Sequence, residues 1–145
     1  MQVSYTYDST LESVNQAETV ATKLATRAGF DEEDVNRISI AVREAAVNAV
    51  LHGNAYDVNK KFTISFENTG EKLAITVADE GRGLDPNALP DPLAPENLLK
   101  QSGRGIFLIR AFMDEVRIRS LEPGTEVVMI KNVRGEAAEG KEESK

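Results

Sequence analysis

Three short stretches carry residue types that can do chemistry on a nucleotide. Asp79-Glu80-Gly81-Arg82-Gly83 closes a run of alternating apolar residues, and further along the chain Gly103-Arg104-Gly105 opens a helical pattern. An acidic residue at a strand end can accept a hydrogen bond from an exocyclic base amine, and glycines let backbone amides approach a base or phosphate without side-chain obstruction. Upstream, Glu44 and Asn48 stand four apart in a helical pattern, so they project from one face, one turn above the other. Asn48 offers a neutral amide oxygen, suited to a Mg²⁺ ion otherwise held by phosphates and waters. Glu44 can then deprotonate a hydroxyl or water near a terminal phosphate, a role typically worth ~10²–10⁴ in rate.

Each stretch has an ordinary alternative. A Glu and an Asn at this spacing commonly form a helix-surface pair, Asp-Glu-Gly commonly ends a strand in a turn, and a lone Gly-x-Gly is usually a flexible loop. Their conjunction in one order along one chain is what points to a nucleotide site. Gly103 and Gly105 leave room for phosphates, and the N-terminus of the helix they open directs free amides and positive partial charge toward them. Lys100 and Arg104 are candidates for phosphate contact, and His52, the only histidine, is read as orienting the site or capping its helix. With one histidine and no cysteine, a histidine-based metal cluster is implausible. The Walker-type Gly-x-x-x-x-Gly-Lys-Ser/Thr cradle does not occur.

The elements that must position these residues follow from periodicity. Val3, Tyr5 and Tyr7 alternate with polar residues as in a strand with one buried face, and Leu11, Val14, Ala17, Ala21, Leu24 and Ala28 recur at helical spacing up to Gly29. Asp31 N-caps a second helix with Glu32, Glu33 and Asp34 in its first turn, running to about His52 and stopping at Gly53. Within it Ile38, Val42, Ala45 and Ala49 form the apolar stripe that packs on a sheet. Phe62, Ile64 and Phe66, then Asn68-Thr69-Gly70, then Leu73, Ile75 and Val77 describe a hairpin. Gly105 to Asp114 reads as a third helix, followed by strands at Val116–Arg119 and Thr125–Ile130 joined by Glu122-Pro123-Gly124. Between the glycine motifs, residues 84–102 hold four of the five prolines without strong periodicity, the pattern of a lid. Residues 133–145 lack large apolar side chains beyond Val133 and read as a disordered charged tail.

Composition narrows the function further. A chain of 145 residues suits one core, and a net charge of −7 argues against duplex DNA or an anionic membrane surface as the main partner, favouring a protein instead. The absence of cysteine excludes disulfides and thiolate zinc sites. No stretch approaches the ~20 apolar residues of a membrane span, and Met1 to Asp8 has no basic region leading into an apolar run, so a soluble, cytoplasmic protein is expected.

Taken together, Glu44-Ala45-Ala46-Val47-Asn48-Ala49-Val50-Leu51-His52-Gly53, Asp79-Glu80-Gly81-Arg82-Gly83 and Gly103-Arg104-Gly105-Ile106 resemble the N, G1 and G2 boxes of the GHKL ATPase superfamily. Phe112-Met113-Asp114-Glu115-Val116 after the last box looks like its anti-sigma factor serine/threonine kinase subgroup, and the resemblance covers residues 1–132. It implies an α+β Bergerat fold, a two-layer α/β sandwich whose mixed, mostly antiparallel sheet is covered by helices on one face. It also implies Mg²⁺ and ATP as cofactors, with Glu44 as general base, Asn48 as Mg²⁺ ligand and Asp79 as acceptor for the adenine amine. Gly81 and Gly83 would shape the base pocket, Gly103 and Gly105 the phosphate turn, and Thr125 would support Asp79 and a bridging water. Relatives often place a basic residue directly before Ser-Gly in the last box; Gln101 stands there, leaving Lys100 or Arg104 for the terminal phosphate.

The activity this resemblance implies is phosphorylation of a serine on an anti-sigma factor antagonist, coupled to sequestration of a sigma factor by what is expected to be a homodimer. An ATP-gated binding module without phosphotransfer is the alternative. A sensor histidine kinase domain fits less well because no upstream helix presents a histidine, and a motor or topoisomerase would need further domains.

Overall fold

The computed structural model describes residues 1–53, 57, 59–81, 104–121 and 123–133. In chain order these form strand β1 (Gln2–Asp8), helices α1 (Leu11–Arg27) and α2 (Glu32–Val47), a π-helical segment (Asn48–Gly53), strands β2 (Lys61–Asn68) and β3 (Lys72–Asp79), helix α3 (Arg104–Phe112), and strands β4 (Glu115–Ser120) and β5 (Thr125–Asn132). The strands make one sheet in the order β1-β2-β3-β5-β4. The expected α+β two-layer architecture is present, with one correction: all four pairings are antiparallel, so among the described residues the sheet is not mixed.

Alternation decides which face is covered. Phe62, Ile64 and Phe66 on β2 and Leu73, Ile75 and Val77 on β3 are buried, whereas Thr63, Ser65, Ala74, Thr76 and Ala78 between them are only half-buried. The buried set joins Val14, Ala17 and Ala21 of α1, Ile38, Val42 and Ala45 of α2, and Ile109 of α3 in one core. Each large apolar side chain buried there contributes about 1.5–3 kcal/mol. The hairpin turn falls where expected, at Gly70 with φ +92°.

Local signals end the helices as follows. At the end of α1, Gly29 adopts φ +97°, its N–H bonds to Thr26 O (3.1 Å), and Phe30 N–H reaches back to Ala25 O (3.3 Å), the paired closure that a left-handed glycine permits. Asp31 caps α2, its carboxylate accepting from Asp34 N at 2.8 Å. Two helix boundaries differ from the sequence reading. The second helix does not continue as an α-helix to His52 but widens at Asn48 into the π-helical segment, a form often found at functional sites. The third ends at Phe112 rather than Asp114, because Asp114 N–H donates to Ile130 O of β5 (2.9 Å) and its carboxylate accepts from Asn132 N (2.7 Å). The lid at 84–102 and the tail from Arg134 lie outside the described residues.

Candidate nucleotide site

Two clusters build the site. The first surrounds Asp79, the last residue of β3, which is buried and lies opposite Phe62 in the β2–β3 register. Its Oδ1 accepts from two backbone amides, Gly81 N at 3.0 Å and Thr125 N at 3.2 Å. Its Oδ2 receives no hydrogen bond from the described residues. Among the described residues the carboxylate is therefore held by one oxygen only. Burial raises its pKa above the ordinary 3.8; the N–H groups of Gly81 and Thr125 and the charge of Lys60 each offset part of that rise.

Gly124 makes this arrangement sterically feasible, and the sequence reading treated it only as a turn residue. It has φ +110°, and a β-carbon there would lie 2.0 Å from the backbone oxygen of Asp79. Only a residue without Cβ lets the start of β5 come close enough for Thr125 N to reach Asp79. The available signal was a glycine directly before Thr125 at a strand start, which turn statistics alone explain equally well.

The second cluster joins α2 to α3. Ile38, Val42, Ala45 and Ala49 are buried as the apolar stripe required, leaving Glu44 and Asn48 half-buried at the edge of the core. The start of α3 packs directly against this pair: a β-carbon on Gly105 would lie 2.9 Å from Glu44 Oε1 and 3.7 Å from both Nδ2 and Oδ1 of Asn48. The π-helical segment that begins at Asn48 in turn packs on β3, which ends at Asp79. The first turn of α3 thus brings its backbone close to a carboxylate and an amide oxygen, the surroundings in which a phosphate chain and its counter-ion can be held.

Of the residues singled out by sequence, the fold brings Glu44, Asn48 and Gly105 into one cluster and Asp79, Gly81 and Thr125 into the other. Thr125 reaches Asp79 through its backbone amide. Arg104 opens α3, but its side chain, like that of His52, lies outside the described residues, as do Gly83, Lys100 and Gly103.

Gly105→Ala separates stability from geometry. Alanine in a helix is favoured over glycine by roughly 0.5–1 kcal/mol, and the atom it would meet is the far end of a flexible side chain. The variant is expected to melt at or slightly above the parent temperature although Glu44 Oε1 must move aside for the added carbon. Calorimetry reads the first outcome and a crystal structure of the variant the second.

Residues 7–131 match the family described as histidine kinase-like ATPase domain. The chain is 34% identical over 119 residues to the serine-protein kinase RsbW of Bacillus subtilis, covering 78% of this chain and 74% of that one. It is 36% identical over 119 residues to the serine-protein kinase RsbW of Staphylococcus aureus, covering 76% and 73% respectively. Among solved structures, the RsbU and RsbW domains of Rv1364c from Mycobacterium tuberculosis superpose with a TM-score of 0.64 at 22% identity, over 90% of this chain and 31% of that one. The catalytic domain of histidine kinase ThkA superposes with a TM-score of 0.55 at 14% identity, over 90% and 97%. These two likenesses concern the fold.

Proposed function

Because this chain belongs to the histidine kinase-like ATPase domain family, we propose that it is an ATP-dependent protein serine/threonine kinase that phosphorylates a serine on an anti-sigma factor antagonist and sequesters a sigma factor. The observation that carries the reading is the packing of Gly105 against Glu44 and Asn48 in a chain about one-third identical to serine-protein kinases over three-quarters of its length.

In this reading Asp79 Oδ2 accepts the 6-amine of adenine while Gly81 and Gly83 line the base pocket. Gly103, Gly105 and the first amides of α3 receive the phosphates, with Lys100 or Arg104 at the terminal one. Asn48 supplies a single neutral oxygen, which fits a Mg²⁺ ion held mostly by phosphates and waters; among the described residues no group of three or more acidic or histidine side chains gathers as an all-protein cage would require. Bound there, Mg²⁺ would neutralise charge on the transferring phosphoryl group. Glu44 takes the proton of the attacking serine hydroxyl, and the amides of the α3 N-terminus stabilise the equatorial oxygens.

We place residues 1–132 in the kinase domain with residues 84–102 as its lid and 133–145 as a tail. Among the described residues no helix is long and apolar enough to cross a membrane. A cytoplasmic homodimer is part of the same reading, favoured by β1 lying at the sheet edge beside β2 among the described residues.

The test is transfer of label from ATP to candidate serine-bearing antagonists, run beside thermal unfolding with and without Mg-ATP. Nucleotide at ~100 times its dissociation constant should add about 2.7 kcal/mol of stability. No shift at saturating nucleotide removes the whole reading. A shift without transfer to any protein leaves a nucleotide-gated binding module.

A further inference from the structure

We infer that Lys60 is a positioning residue for base recognition, keeping Asp79 an ionised acceptor for the purine amine; the inference rests on the nucleotide reading above. Lys60 precedes β2 by one residue and Phe62 by two, and Phe62 is the register partner of Asp79. Continued one residue past the start of β2, the alternation puts Lys60 on the same sheet face as Asp79, at the diagonal position, a separation of roughly 7–8 Å that long side chains still reach. The backbone there is pinned: Lys60 N–H donates to Asp57 O (2.9 Å), and Lys60 O accepts from the buried Ser9 Oγ (2.7 Å). Its side chain is half-buried, and among the described residues it forms neither a hydrogen bond nor an ion pair within 4.0 Å.

Among the described residues, the other charged and titratable groups near Asp79 are placed as follows. Lys61 Nζ pairs with Asp8 (2.5 Å) on the other face, while Glu80 Oε1 accepts from Lys61 N (3.0 Å). Asp57 Oδ1 accepts from Asn59 N (2.9 Å). On β5, Glu126 sits opposite Ala78, hence on the far face, and pairs with Arg119 (2.9 Å). On β1, Tyr7 is separated from Asp79 by Phe62. On α2, Glu44 is turned to Gly105. Among the described residues, Lys60 is the cation whose charge opposes protonation of Asp79.

The hydrogen-bond pattern says what a proton would do. Oδ1 already accepts from two amides, so a proton arriving on the carboxylate goes to Oδ2. Oδ2 then becomes a donor facing the amine it should accept from, and base recognition fails. Burial lifts the pKa of Asp79 while Lys60 restrains that lift. Without Lys60, recognition should fail at a higher pH.

Mg-ATP affinity is measured by titration calorimetry from mildly alkaline to acid pH for the parent chain, Lys60→Met, Lys60→Arg, Lys61→Met and Asp79→Asn, with a melt of each apo-protein at each pH. The nucleotide's own phosphate titration is common to all five. The expected result is an alkaline plateau shared by the parent and all three lysine variants, with the acid limb of Lys60→Met moved to higher pH. Each unit of movement appears on that limb as about a tenfold rise in Kd. Lys60→Arg and Lys61→Met should follow the parent, and Asp79→Asn should bind weakly without this limb. A Lys60→Met profile coincident with the parent overturns the inference, as does an equal loss at every pH, which is the signature of a direct phosphate contact. Failure of the parent chain to bind ATP at any pH sinks the nucleotide reading itself, and this inference with it.

Discussion

Glu44→Gln is expected to lower phosphate transfer to protein serine by roughly 10²–10⁴-fold, the range associated with loss of a positioned general base, while the Kd for Mg-ATP changes little. Glutamine keeps the length and shape of the side chain but cannot take a proton. Glu44 is half-buried and its Oε1 lies beside Gly105 at the start of α3, so the neutral amide can occupy the same space without moving the helix. Stability should change by no more than about 0.5 kcal/mol, as for substitutions away from a core or a buried network. Single-turnover transfer isolates the chemical step from product release. An unchanged rate would remove Glu44 from the role of base; a parent chain that never transfers, yet binds its partner in the presence of ATP, would identify the gated module instead.

Gly124→Ala should be the most damaging single methyl added to the described part of the molecule. Two costs combine: a left-handed backbone conformation at φ +110°, and a β-carbon driven to 2.0 Å from Asp79 O, a backbone atom that cannot rotate away. Strained conformation and overpacking together amount to about 2–6 kcal/mol, a large part of the 5–15 kcal/mol that typically holds a domain. Relief requires β5 to withdraw from β3 at this end, which breaks the bond from Thr125 N to Asp79 Oδ1. Nucleotide affinity should therefore fall even under conditions where the variant remains folded. Gly70→Ala is the internal comparison: φ is +92°, but nothing lies within 4 Å of the added carbon. It should cost about 1–3 kcal/mol and leave ATP binding intact. Denaturant unfolding and ATP titration of the two variants separate conformational cost from collision. Equal destabilisation would show that the approach to Asp79 is not the limiting contact.

Much of the candidate site's arrangement was legible because its residues are clustered by local geometry. A helix places Glu44 and Asn48 on one face whatever it packs against, and the buried stripe of Ile38, Val42, Ala45 and Ala49 decides which way that face turns. Strand alternation likewise puts Asp79 on the covered side with Leu73, Ile75 and Val77. The widening of α2 at Asn48 was not legible, since Ala49, Val50 and Leu51 continue an acceptable α-helical pattern and the π-helical turn packs on β3.

The chain's own residues determined the helix faces, the strand alternation, the caps and the grouping of an acid with glycines, because these depend on periods and torsions spanning only a few neighbours. Only the tertiary structure decided that β5 enters the sheet beside β3, so that Thr125 N meets Asp79 and Gly124 must lack a side chain, and that α3 lies with Gly105 against Glu44. The same holds for Lys60, whose place diagonal to Asp79 is set by the β2–β3 register. Such contacts join residues far apart in sequence; they arise from packing the layers together, which no local period encodes.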